Sequence, residues 1–145
     1  MPVVADAAVF YPDATALAVV VIADGITAQG ESWPVRAKVP NPRPDQFVTV
    51  TRTGGPRLNL VADQAQITVD SWALTDEEAH DLAQLCRALL HGAASTVVSD
   101  SPIYRVTELS GPGYLPDPDS DQSRYRQSFT LSARGAVLTV PVASS

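Results

Sequence analysis

Hydrophobic and polar positions follow three distinct rhythms along this chain. In one stretch Tyr125, Phe129, Leu131 and Ala133 share one side, and Arg124, Arg126, Ser128, Thr130, Ser132 and Arg134 share the other. That period of two predicts a half-buried strand. In a second stretch Ala79, Leu82, Ala83, Cys86, Leu89 and Leu90 recur at helical spacing and form one apolar stripe. Its start is marked by Thr75 with Glu78 three residues on, a capping box, and its stop by Gly92. Asp76, Glu77 and Glu78 complement the positive end of its dipole, and Arg87 and His91 the negative end. The third rhythm is nearly continuous. From Asp13 to Ala28, after Pro12 and before Gly30, apolar residues cover more than one face: Ala14, Leu17, Ala18, Val20, Val21, Ile22 and Ile26. A helix apolar nearly all round must be buried on more than one side. The competing reading makes Ala18 to Ala23 a buried strand, because its valines and isoleucine favour β structure.

Shorter segments complete the plan. Trp33 to Val39 reads as a strand ended by Pro40, Pro42 and Pro44. Phe47 to Thr53 reads as a second, with Val48 and Val50 opposite Thr49, Thr51 and Thr53, broken at Gly54-Gly55-Pro56. A third runs from about Ala65 to Ala73, with Ile67 and Val69 opposite Gln66, Thr68 and Asp70. Ile103 to Leu109 is a fourth, followed by a turn-rich insert from Ser110 to Gln122 and then the fifth strand. The order α-β-β-β-α-β-β predicts an α+β fold, a mainly antiparallel sheet of about five strands with two helices largely on one face. Residues 1–11 read as a loose lead-in, residues 12–135 as one domain, and residues 136–145 as an apolar C-terminal tail able to add a strand to a neighbour. The proline spacer, the strand from Phe47 and the glycine turn together suggest a projecting hairpin arm.

Composition narrows the function. With 145 residues the chain can build one domain around a real core. A net charge of −6 disfavours free nucleic acid or an anionic membrane as the main partner. The single cysteine, Cys86, excludes an internal disulfide and a cysteine zinc cluster. No basic residue precedes Arg36, so a secretory leader is not expected. The longest unbroken apolar run, Ala16 to Ala23, falls far short of the roughly 20 residues that cross a bilayer.

Candidate chemistry is sparse, and the expectation is a protein that is not an enzyme and needs no cofactor. Asp117, Asp119 and Asp121 resemble half a calcium loop, but Gln122 and Ser128 stand where glycine and the bidentate glutamate belong. His80 and His91 are three helical turns apart and cannot share one metal. Cys86 lies on the apolar stripe and reads as a small core residue. Neither Gly54-Gly55-Pro56-Arg57 nor Gly111-Pro112-Gly113 has the spacing of a phosphate loop.

Several segments, taken in order, resemble the tail terminator (tail completion) proteins of long-tailed phages, especially those infecting actinobacteria. They are Pro12-Asp13-Ala-Thr-Ala-Leu17, Val39-Pro-Asn-Pro-Arg-Pro-Asp45, Phe47 through Pro56, Ser71-Trp-Ala73 with Glu78-Ala-His-Asp-Leu-Ala83, and Tyr114-Leu-Pro-Asp-Pro118. The resemblance implies a ring, usually a hexamer, at the head-proximal end of the virion tail. Such a ring stops polymerisation of the major tail tube protein and meets a head-completion or connector protein, while genome DNA passes through its lumen without specific binding. It also implies assembly in the host cytoplasm with no membrane partner. Arg43, Phe47, Arg52, Gly54, Gly55, Arg57, Tyr114 and Leu115 are the expected subunit or partner contacts. Rival expectations are another neck component, such as a head-closure protein, or a monomeric binding module of unrelated pathway.

Overall fold

The computed structural model describes residues 8–59 and 61–138. In chain order the elements are β1 (Val9–Phe10), α1 (Ala14–Ala28), β2 (Val35–Arg36), β3 (Phe47–Gly54), β4 (Ala62–Ala73), α2 (Asp76–Gly92), β5 (Thr96–Val98), β6 (Ser101–Tyr114), β7 (Ser123–Arg134) and β8 (Ala136–Val137). Six strands form one sheet in the order β2-β3-β4-β7-β6-β5, and β1 pairs with β8 in a second sheet. The class is α+β, but the main sheet is larger than expected and mixed, because β2 runs parallel to β3.

Both helices form as their sequences predict. The Asp13 side chain accepts from the Ala16 N–H at 3.1 Å and caps α1. Thr75 Oγ1 accepts from the Glu78 N–H at 3.2 Å and donates to the Glu78 carboxylate at 2.8 Å, starting α2. Helix therefore prevails over strand at Ala18 to Ala23. Tertiary packing decides this, since α1 lies against both β3 and α2. At the α1–α2 crossing Gly25 receives Leu89, whose Cδ2 stands 2.3 Å from where any Cβ at residue 25 would be. Leu17, Ile22 and Ile26 of α1 and Leu82, Cys86 and Leu90 of α2 share a core with Val48, Val50, Ile67, Val69, Phe129 and Leu131. Each large side chain buried there contributes roughly 1.5–3 kcal/mol. By the register of the ladder these strand residues all project from one face, which both helices cover. Gln127 shares that face and is fully buried, its Nε2 donating to the Ala83 carbonyl at 2.8 Å.

Several expectations need correction. The strand expected from Trp33 to Val39 is only Val35–Arg36, because the prolines that follow lack ladder donors. The region after Leu109 is not all turn. Strand β6 continues through Gly111, Pro112 and Gly113 to Tyr114, absorbing them in register shifts at Glu108/Ser110 and Ser110/Gly113. The lead-in is not loose throughout, since Val9 pairs with Val137 and Phe10 with Ala136. The beginning of the tail therefore pairs with this chain's own N-terminal strand, and residues 139–145 lie outside the described residues.

The hairpin expected to project is instead built into the sheet. Strands β3 and β4 pair from Phe47↔Trp72 to Arg52↔Ile67, with a bulge before Gly54↔Gln66. Gly55 closes the hairpin at φ +97°, and a Cβ there would stand 2.1 Å from the Gln64 carbonyl oxygen. Gly30 also has positive φ but nothing within 4 Å. Gly55→Ala is therefore expected to cost about 2 kcal/mol or more, and Gly30→Ala distinctly less. Urea midpoints of the two variants check the ordering.

Candidate interaction surface

Among the described residues no helix covers the second face of the main sheet, and most of what lines it is polar. The ladder places Thr49, Thr51, Gln66, Thr68, Asp70, Ser128 and Thr130 there, with Trp72, Arg124 and Arg126 toward one end. Arg126 grips Asp70 with two hydrogen bonds, Nε to Oδ1 at 2.8 Å and Nη2 to Oδ2 at 3.0 Å. The hydrogen bonds to the Asp70 carboxylate raise the Arg126 guanidinium pKa still further. The pair gives the exposed Arg126 cation a carboxylate partner that is itself buried.

Trp72 anchors one end of this face. It stacks on Phe47 with ring centroids 5.2 Å apart and planes 13° from parallel. The guanidinium carbons of Arg43 and Arg124 lie 5.1 and 4.9 Å from its ring centroid, a cation–π arrangement. Arg43 also donates to Asp117 at 3.1 Å, and the Gln122 amide donates to the carbonyls of Pro44 and Asp45. The proline segment and the acidic loop are thus tied to each other across Trp72. Within the loop, Asp117 accepts from the Ser120 hydroxyl at 2.6 Å and from the Asp119 N–H at 3.1 Å. Its carboxylate serves loop geometry, and among the described residues no three His, Cys, Asp or Glu side chains converge as metal ligands.

The expected contact residues scatter. Phe47 is 0% exposed beneath Trp72 and offers no surface, so it supports the site rather than meeting a partner. Arg52 is spent inside the hairpin, with Nη1 and Nη2 on the Asp63 carboxylate at 2.6 and 3.2 Å and further bonds to the Gly54 and Gly55 carbonyls. Gly54 and Gly55 shape the turn. Arg57 is exposed and makes no side-chain hydrogen bond or ion pair among the described residues. Tyr114 and Leu115 are exposed at the opposite end of the sheet from that turn, Tyr114 against Tyr125 at 5.6 Å. Cys86 is fully buried, and burial pushes its thiol pKa up to about 12, which leaves it inert.

Sequence reasoning missed a second surface. A groove of about 360 Å³ opens between the end of α1 and the first turns of α2, lined by Trp33, Gln46, Leu82, Leu85, Glu31, Glu78 and Asp81. Its signal in the sequence was faint: a tryptophan beside a proline, and a helix with no basic residue in its last turn.

No protein-family model matches the sequence, and no curated protein does. Among solved structures the fold is similar to that of a chain from the virion of a native gene transfer agent particle, with a TM-score of 0.59 at 15% identity. The superposition covers 86% of this chain and 100% of the other. At that identity the likeness is one of fold.

The tie across Trp72 is acid-sensitive. The Ser120 hydroxyl above all, then the Asp119 N–H and Arg43, hold the Asp117 carboxyl below the usual aspartate range. A lowered folded pKa stabilises above the ordinary aspartate titration and is lost as pH falls through the lowered value. In a Trp33→Phe background, Trp72 fluorescence is expected to change in that acid range, and Asp117→Asn to show the changed emission already at neutral pH. An identical neutral spectrum for Asp117→Asn would refute the tie.

Proposed function

We propose that this chain is a structural protein of a phage-like virion, acting without catalysis, whose copies form a ring that ends the tail tube and presents a surface for head joining. The observation that carries this reading is the match in fold to a virion chain over its whole length, together with the ordered segments that resemble tail terminators. Lumen-facing and partner-facing surfaces are available in kind. The uncovered sheet face carries hydroxyls and amides, with Arg126 neutralised by Asp70. Such a face, which also carries Arg105, Arg124 and Arg134, would meet DNA in a channel through hydroxyls, amides and arginines and without base readout. A hexamer around that channel, with the tube protein on one side and a head-completion protein on the other, is the arrangement the reading implies.

Electron microscopy of particles made with and without this protein tests it. Loss of the protein is expected to give tails of uncontrolled length that carry no heads, corrected by supplying the chain in trans. Tails of normal length with unjoined heads would instead assign it to head closure. Normal, joined particles would reject a neck role altogether.

A further inference from the structure

The groove beside α1 has the chemistry of a socket for a cation on an apolar stem. Trp33, Leu82 and Leu85 supply an apolar floor, and Glu31, Glu78 and Asp81 a negative rim. No arginine or lysine forms an ion pair with these three carboxylates among the described residues. Asp81 has only His80 within reach, at 3.5 Å. Helix α1 ends beside this groove with no basic residue in its last turn, so the negative end of its dipole is uncompensated. Rim and dipole therefore attract the same kind of guest.

A matching plug stands at the far end of the same hairpin. Gln46, which lines the groove, immediately precedes β3, and β3 ends eight residues later at Gly54. At about 3.3 Å per residue the two sites are roughly 26 Å apart. Just past that end lie the uncommitted Arg57 and Leu58, the latter 51% exposed. Described residues on both sides of them are tied by hydrogen bonds. Arg52 clamps Asp63, the Leu58 N–H donates to the Ala62 carbonyl at 2.8 Å, and Asn59 Oδ1 accepts from the Val61 and Ala62 N–H groups. Groups already tied in this way lose less entropy on docking.

Socket and plug at opposite ends of one rigid hairpin cannot meet within one molecule. They can meet between copies, head to tail, which is the heterologous contact that closed rings require. We propose that the Arg57–Leu58 tip of one copy seats in the Trp33–Leu85 groove of the next, with Arg57 between Glu31 and Asp81. This interface rests on the ring reading above and deepens it.

The test is a charge swap, read by native mass spectrometry of the full chain alone and by ring occupancy on purified tail tubes. Arg57→Glu, and the pair Glu31→Lys with Asp81→Lys, change exposed residues, and circular dichroism confirms folding. Each is expected to weaken assembly at least tenfold. An equimolar mixture of the two should recover assembly, because each retains the half the other lacks and the altered halves attract. Wild-type assembly from Arg57→Glu, or no recovery on mixing, would overturn the interface while leaving the ring intact. Impairment of the groove variant alone would also overturn it, and would assign the groove to a basic segment of another protein. A wild-type chain that neither self-associates nor caps tubes would overturn the ring reading itself.

Discussion

Two helices can cover only one face of a six-stranded sheet, and every other feature of this molecule accommodates that limit. On the covered face Val48, Ile67, Val69, Phe129 and Leu131 are buried against α1 and α2. Helix α2 does this with one stripe, as an amphipathic helix should. Helix α1 is apolar nearly all round because it wedges between sheet and α2, where Gly25 lets Leu89 approach. On the other face the alternation switches to polar residues, some exposed, such as Thr51 and Gln66, and some buried, such as Thr49, Thr130 and Ser132. The two large aromatics there, Phe47 and Trp72, stack on each other, and Trp72 is shielded by Arg43, Arg124 and the proline segment instead of by a helix. Cationic side chains with long stems are suited to covering apolar area while keeping their charge in water.

The same limit explains which elements were legible in the sequence. Where a segment meets the core, its pattern is strong: the capped start of α2 at Thr75 and the alternation of β7 from Tyr125 to Ala133 were readable to within two residues. Where a segment pairs only at an edge, pattern disappears. Strands β2, β5 and β8 are two or three residues long, too short for any side-chain periodicity to show, even where one residue such as Val35 enters the core. The parallel pairing of β2 has no local signature either. Strand β6 shows the opposite error, since glycine and proline announce a turn, yet Gly111, Pro112 and Gly113 bend a strand at bulges. Proline is tolerated there because β5 pairs only with Ser101 to Ile103, leaving the outer edge of residue 112 without a ladder partner.

The candidate site was legible as a region and not as individual roles. The proline segment, the hairpin turn and the acidic loop are all in use, and two of them close on Trp72. Which arginine serves which purpose depended on distances no sequence carries. Arg52 and Arg57 look equivalent along the chain, but Asp63 lies across the hairpin from Arg52 alone and holds it at 2.6 Å. Arg43 is likewise committed by Asp117, seventy-four residues away. Phe47 looked like an exposed end of an arm because its partner Trp72 belongs to the next strand but faces the same way.

Charge placement gives the uneven surface its direction. The chain carries sixteen acidic and ten basic residues, yet the sheet side holds Arg105, Arg124, Arg126 and Arg134, while the first turns of α2 hold Asp76, Glu77, Glu78 and Asp81. One carboxylate near a helix N-terminus is worth about 0.3–1 kcal/mol, and the benefit does not grow with each addition, because the carboxylates repel one another. Asp76 is used locally, accepting from the Ser123 hydroxyl, and Glu78 completes the cap at Thr75. Glu31 and Asp81 have no comparable local duty among the described residues. Both line the groove whose floor is Trp33, Leu82 and Leu85, so a cation on an apolar stem would find charge at the rim and an apolar surface to cover its stem.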